Sequence, residues 1–426
     1  MGREGFRCGG YVVTQVHRVK RIVLLVVLGL VSIGNRDVVA GSPEVPFSVT
    51  ETTVIPEVFP AEGISADGVR ALFFSGPEWR GKPTRVFAWY GVPDVPAGQK
   101  VPAMVLIHGG GGTAFDRWVR LWNSRGYAAI AMDVCGCVPV GSYGNWQRHE
   151  HGGPPGWDAS FGQLDEPVTD QWTWHAVQAV CRAHSLVRTF PEVDADRIGV
   201  TGISWGGYLT CIVAGVDERF RLAVPVYGCG FLGQNSAWLP AFERLGSEKA
   251  ALWLRQWDPA EYLPRAKMPL LWVNGTNDFA YPMDSWQRST ELPEREPQLC
   301  LRVRMPHGHG AAGENPEEIR VFADSLLMGK KPLPVIRELS RQGNRLTGAF
   351  ASEVPVVRAE LCFTKSTGRW QDREWLTSPA VVSLESGKVE AELPSGVVVA
   401  YLNLFDERDC VVSSRHLELQ PDSAVE

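Results

Sequence analysis

The sequence is short of the features that mark nucleic-acid binders, metal proteins and membrane-embedded proteins. Its 42 basic and 48 acidic side chains are interspersed, giving a net charge of −6 without long runs of either sign. No electrostatic footprint for nucleic acid is present. Nine cysteines and nine histidines are few for 426 residues, and their spacing is poor for metals. "CGC" at 135–137 lacks the second cysteine pair of a zinc site, and "HEH" at 149–151 lacks a third ligand and reads as a solvated loop. The apolar run "IVLLVVLGLVSIG" at 22–34 is too short to be a comfortable membrane span.

That run has another reading. His17, Arg18, Lys20 and Arg21 precede it and "VVA" closes at Ala40, which is the grammar of a secretory signal peptide over residues 1–40. The expectation is an exported protein, periplasmic or extracellular, with no stable membrane insertion after cleavage; an uncleaved N-terminal anchor is the alternative. Cleavage would remove Cys8. Cys362 and Cys410 could then bridge within the C-terminal region or remain buried free thiols.

What is present is apolar and aromatic: 44% hydrophobic residues, 21% charged and sixteen tryptophans, enough for a large core and a second, smaller domain. Some exposed indoles would suit sugar rings. From about Val69 to Leu327 short apolar runs alternate with helical patterns, the mark of an α/β fold with a mostly parallel sheet flanked by helices. "VPAMVLIHG" (101–109) is continuously apolar, as a strand covered on both faces should be. Phe115, Trp118, Val119 and Trp122 follow at helical spacing. Further strands are expected at 127–133, 197–202, 222–228, 269–275 and 299–305. After a Pro-punctuated linker at 329–335 only strand patterns remain, so residues 336–426 are predicted to form a small antiparallel β-sandwich, accessory to a domain spanning 41–330.

The chemistry centres on "TGISWGG" (201–207). A G-x-S-x-G between a strand and a helical pattern is a nucleophile elbow, in which Gly202 and Gly206 let the chain turn so tightly that Ser204 projects from the sheet edge. An acyl oxyanion needs two amide donors: one belongs to Trp205, the residue after the nucleophile, and the other to Gly110 or Gly111 of "HGGGGT" (108–113). His108 reads as a structural residue holding that loop. The acid should follow a later strand. Asp278 of "WVNGTNDFAYP" fits, whereas Asp284, past Pro282, reads as a first-turn helix carboxylate. The base should come last, in "RMPHGHG" (304–310), ahead of a helix capped by Asn315 with Pro316 at its first position. His309, between two glycines, is the favoured base because a flexible backbone lets its ring swing towards Ser204. His307, nearer the strand end, is the alternative.

"HGGGGTAF", "TGISWGGY", "GTNDFAYP" and "MPHGHG" together resemble the α/β-hydrolase superfamily, and within it the acetyl xylan esterase and prolyl oligopeptidase-like serine hydrolases, over roughly residues 69–330. The resemblance implies a serine-dependent carboxylic ester hydrolase working through an acyl-enzyme, without a cofactor or metal, on a small-molecule or polysaccharide ester such as an acetylated carbohydrate. A peptidase or amidase with the same triad, and a catalytically silent carbohydrate-binding protein, are the rivals. Fewer than seventy residues separate the expected signal peptide from the hydrolase strands, too few for the propeller of prolyl peptidases. The aperiodic stretch at 134–167, with Trp146 and Trp157, is expected to line the substrate pocket, and the insertion at 228–259 to form a partly helical cap.

Overall fold

Apolar runs buried on both faces build the central sheet. In the computed structural model, which describes residues 46–96 and 98–419, the run Val101–Ile107 is a strand buried at every position. It is the fourth in chain order (β4), after β1 (Val58–Pro60), β2 (Arg70–Ser75) and β3 (Arg85–Gly91). The sheet continues with β5 (Ala128–Met132), β8 (Val193–Ile203), β9 (Leu222–Val226), β10 (Leu271–Gly275) and β11 (Gln298–Arg302). A two-stranded hairpin, β6 (Cys137–Ser142) and β7 (Asn145–Arg148), stands apart from it.

The spatial order is β1-β2-β3-β5-β4-β8-β9-β10-β11. Pairing is antiparallel from β1 to β5 and parallel from β5 to β11. The loops that leave β4, β8, β10 and β11 therefore emerge on one edge, where open α/β sheets place their ligands. Helices α2 (Asp116–Ser124), α3 (Trp172–Val187), α4 (Trp205–Val216) and α8 (Met283–Thr290) connect these strands, and α10 (Glu317–Met328) follows the last of them. A short α1 (Val49–Thr52) precedes them, and α9 (Ala311–Glu314) lies just before α10. The segment after β9 folds as α5 (Leu232–Asn235), α6 (Leu239–Leu245) and α7 (Ser247–Trp257).

One helix start differs from expectation. The N-cap of α10 is Pro316, one residue later than the predicted Asn315, and it makes no side-chain cap bond. The Asn315 carboxamide oxygen instead accepts from Arg125, so the side chain that would have capped the helix ties it to α2.

The C-terminal region is an antiparallel sheet of eight strands: β12 (Val335–Gln342), β13 (Arg345–Ala351), β14 (Val356–Thr364), β15 (Leu376–Ser383), β16 (Lys388–Glu392), β17 (Val399–Asp406), β18 (Val411–Ser413) and β19 (Leu417–Glu418). All eight positions of β17 are buried because both its faces are covered. Ala400, Leu402 and Leu404 point into the sandwich with Leu346, Leu361 and Val389. Val399, Tyr401 and Phe405, one step out of phase, pack in the core of the hydrolase sheet.

This second face also covers the end strand β11. The Leu301 amide donates to Ser413 Oγ at 2.7 Å, while Tyr401 Oη (3.3 Å) and Asn403 Nδ2 (3.2 Å) donate to the Leu301 carbonyl. An exposed edge that could recruit other strands is thereby occupied. The described residues accordingly fall within a single compact unit. The eight described cysteines are free; Cys362 and Cys410 do not bridge, and burial pushes both thiols up to about 12. The expected signal peptide at 1–40 lies outside the described residues. Among those described, no helix is long and apolar enough to cross a membrane.

Candidate active site

Ser204 sits in the turn between β8 and α4 with φ +57° and ψ −116°, a conformation costly for any residue with a Cβ. Strain of this kind amounts to about 1–3 kcal/mol and is held only by tight surroundings. The surroundings are tight. A Cβ on Gly202 would lie 2.2 Å from the Gly206 carbonyl oxygen, and one on Gly206 would lie 2.1 Å from that of Ile107. The serine's own backbone is pinned on both sides, its amide donating to Val226 O at 2.9 Å and its carbonyl accepting from Tyr208 N at 2.8 Å. Trp205 is the first residue of α4, so its N–H is one of the helix's unpaired amide donors.

Asp278 lies beyond the end of β10 and is buried. Its Oδ1 accepts from the amides of Ala280 (3.0 Å) and Tyr281 (2.7 Å), which fixes the carboxylate plane. The other oxygen, Oδ2, is 2.6 Å from Nδ1 of His307. The His307 ring stacks on Tyr227 (centroids 4.3 Å apart, 23° between planes) and leans on Phe279. Tyr227 in turn donates through its hydroxyl to Pro306 O at 2.6 Å. Both ring and carboxylate are thus held rigidly, and His307 borders the same cavity as Ser204.

The histidine pairing expected from sequence is corrected here: His309 does not meet Asp278. Its Nδ1 is 3.1 Å from Glu314 Oε1, and its Nε2 accepts from the Gly109 amide at 2.9 Å. With a donor on one nitrogen and an acceptor on the other, the ring is fixed as a neutral tautomer whose lone pair is already engaged. Burial pushes its pKa down, against the opposing pull of Glu314. Burial alone would raise Glu314, but the hydrogen bond with His309 and the charge of Arg117, 2.7 Å away, hold it below the usual range. Flexible glycines did not free His309; they let it fold back against α2, where Phe115 and Trp118 present their edges to it.

The loop after β4 is braced carbonyl by carbonyl. Gly109 O is bonded by His108 Nδ1 (2.9 Å) and by the Gly112 amide (3.1 Å). Because the peptide is planar and trans, the Gly110 N–H points the opposite way, and Gly110 lines the cavity. Gly110 O accepts from Tyr143 Oη at 2.6 Å, and Gly111 O from Trp146 Nε1 and Gly144 N, each at 2.8 Å. Gly111 does not line the cavity, whereas Gly110 and Trp205 border it together with Ser204. His108 is buried, pushed down in pKa by that burial, and accepts from the Val134 amide at 3.1 Å, a structural clamp as read from sequence. Asp284 lies in the first turn of α8, where it accepts from Asn235.

The cavity over Ser204 measures about 740 Å3, with Ile203, Phe161, Trp238 and Leu245 among its apolar walls. The expectation for Trp146 and Trp157 is corrected: neither lines it. The Trp146 indole N–H is consumed by Gly111 O, and the Trp157 ring sits edge-on to His108, so both support the loop from outside. The aromatics that do face the opening went unnoticed in the sequence. Tyr143, at the tip of the β6–β7 hairpin, and Phe279, next to Asp278, are each 60% exposed and are the two aromatic side chains so exposed among the described residues. Nothing in their sequence neighbourhood sets them apart from the chain's other aromatics. Helix α6 closes another wall with Ala241, Arg244 and Leu245, as expected of the 228–259 insertion.

Two family models match this chain. The acetyl xylan esterase (AXE1) model covers residues 64–236, and the prolyl oligopeptidase family model covers residues 168–326. The acetyl xylan esterase from Paenibacillus sp. R4 shares the fold with a TM-score of 0.53 at 22% identity, over 67% of this chain and 97% of that one. Among curated proteins, the uncharacterized peptidase YuxL of Bacillus subtilis is 26% identical over 226 residues, 48% of this chain and 30% of its own length. Dipeptidyl-peptidase 5 of Porphyromonas gingivalis is 25% identical over 214 residues, 44% of this chain and 27% of its own length. The chain thus spans less than a third of the length of these two relatives.

Proposed function

We propose that the chain is a serine hydrolase of the α/β-hydrolase superfamily, as the two family matches and the shared fold support, and that it is an exported carboxylic ester hydrolase that removes acyl groups, acetyl foremost, from carbohydrate. The observation that carries the mechanism is the Asp278–His307 pair, 2.6 Å apart, bordering the cavity that also holds Ser204. Ser204 Oγ attacks the ester carbonyl while His307 Nε2 takes its proton. Asp278, bonded to Nδ1, fixes the tautomer and stabilises the imidazolium that forms. The oxyanion develops towards the amides of Trp205 and Gly110, each such donor being worth about 10²–10³ in rate. His307 then gives its proton to the departing sugar hydroxyl. Water enters, loses a proton to the same imidazole, and attacks the acyl-serine, releasing the acid and restoring Ser204. All of this is acid–base and nucleophilic chemistry of the chain's own groups and calls for no cofactor.

Carbohydrate is favoured by the two exposed aromatic rings at the cavity opening, since sugar C–H faces stack on such rings, and by the match to the acetyl xylan esterase model. The match to the prolyl oligopeptidase model favours a second reading, a peptidase or amidase using the same triad. Acetylated xylo-oligosaccharides and simple acetyl esters assayed beside aminoacyl anilides separate the two: acetate release with inert anilides supports the esterase, and the reverse supports the peptidase. Export rests on the basic flank and apolar run before Ala40. N-terminal sequencing of the mature protein tests it.

A further inference from the structure

The loop carrying Asp278 is braced from the C-terminal sandwich by one side chain. Asn277 Nδ2 donates both its hydrogens across the domain junction, to Gln371 O at 2.9 Å and to Arg373 O at 2.8 Å. Its Oδ1 accepts from Thr276 Oγ1 at 2.9 Å, and that same hydroxyl accepts from the Arg304 amide at 3.0 Å, in the segment that leads to His307. Gln371 continues the chain of bonds to Asn235 O in the cap at 3.1 Å. A single carboxamide thus connects the acid loop, the histidine loop and a turn of the sandwich.

The remainder of this junction is open. A cleft of about 640 Å3 lies between the acid loop and residues 372–374, bordered by Asn277, Asp278, Arg304 and Arg373. Asn277 bridges it, so the acid loop has no packed wall on that side to replace the two bonds. The receiving turn is itself anchored: Trp370 is buried in the hydrolase core, tilted against His416, with Arg373 over its ring. A carboxamide suits the position because it alone offers two donors and an acceptor in one plane; an aspartate would keep the acceptor for Thr276 but set its other oxygen against both carbonyls.

We propose that Asn277 is a positioning residue through which one turn of the C-terminal region, at Gln371 and Arg373, holds Asp278 in register with His307. This rests on the serine-hydrolase reading above. Fluorophosphonate labelling of the unaltered protein at Ser204 establishes that reading separately. The test then compares N277D and N277A with V389A, which thins the sandwich core far from the turn, all rates being expressed per labelled site. N277D is expected to lower kcat by about 10²-fold with KM within about twofold, the size expected of a small misplacement of a catalytic group. N277A, which loses the bonds without adding repulsion, is expected to lower kcat less and to move the ascending limb of the kcat/KM profile to lower pH, as a loosened carboxylate stabilises the imidazolium less. V389A is expected to lower Tm and leave kcat intact. If N277A keeps wild-type kcat and an unmoved pH limb while losing Tm as V389A does, Asn277 is structural only and the proposal is overturned, whether or not N277D folds.

Discussion

The amide of Gly109 donates to Nε2 of His309 at 2.9 Å, joining two residues that are 200 positions apart in the chain. The lone pair that a general base would need is occupied by the loop that bears Gly110, one of the two expected oxyanion donors. The second histidine of "PHGHG" therefore serves that loop, while the first faces Asp278.

The two histidines should then fail differently. H307A is expected to lower kcat by about 10³ or more, since loss of a triad member leaves only binding and the oxyanion hole. H309A is expected to cost less, on the order of 10², by releasing the loop at Gly109. The pH dependence of kcat/KM separates them: the ascending limb disappears in H307A and persists in H309A. The opposite pattern would return the base to His309.

Tyr143 and Phe279 flank the opening, each with more than half of its surface exposed and open to a sugar face. F279A is expected to raise KM for acetylated xylo-oligosaccharides by about tenfold, a loss of roughly 1.4 kcal/mol. KM for a small acetyl ester that does not reach the rim should stay put. Equal effects on both substrates would mean that Phe279 acts on His307 and not on the saccharide.

Acid should destabilise the fold well before carboxylates titrate. Burial holds His175 at about 4 and His416 at about 3, against 6.5 for a free imidazole. Both are lowered in the folded state, so below pH 6.5 the unfolded chain takes up protons that the folded chain refuses. Stability is full above that pH and falls as the pH drops towards 4, by about 1.4 kcal/mol per pH unit for each such imidazole. Urea titrations across this window should show the slope, and H416Q should flatten it. An unchanged slope in H416Q would exclude that residue as a source.

Glu318 is fully buried, paired with Arg302, and accepts from the Val411 amide of β18 at 2.7 Å. E318A is expected to cost about 1–3 kcal/mol, because it leaves the buried Val411 amide without its acceptor while Arg302, about a third exposed, can still reach water. A chain ending near Gly329 exposes β11 and the hydrolase-side surface of β17's contacts, and it is expected to aggregate. A soluble, monomeric and active truncation would show that the sandwich is dispensable.

Much of this was legible in the sequence, for definable reasons. The strands and the elbow at Ser204 are local: apolar runs covered on both faces and a G-x-S-x-G between strand and helix need no distant partner to be read. Asp278 followed from its place after a strand. The choice between His307 and His309 did not, because it turns on what the Gly109 amide reaches across the fold. Trp146 and Trp157 looked like pocket residues because an indole's exposure is invisible in sequence; the carbonyl that captures the Trp146 N–H belongs to Gly111. The docking of the sandwich was hidden for a similar reason. In β17 both sets of alternating residues are apolar, and only the fold reveals that one set packs inward and the other against the hydrolase core.

The central claim is that Ser204 is the nucleophile of an ester-hydrolysing site. Its most direct test is fluorophosphonate labelling followed by peptide mass mapping, run beside acetate release for the unaltered protein and S204A. The expected result is a single adduct on the peptide containing Ser204, absent in S204A, with acetate release in that variant reduced by about 10⁵-fold or more and its Tm unchanged. An adduct on another residue, or an S204A protein that releases acetate at the unaltered rate, would contradict it.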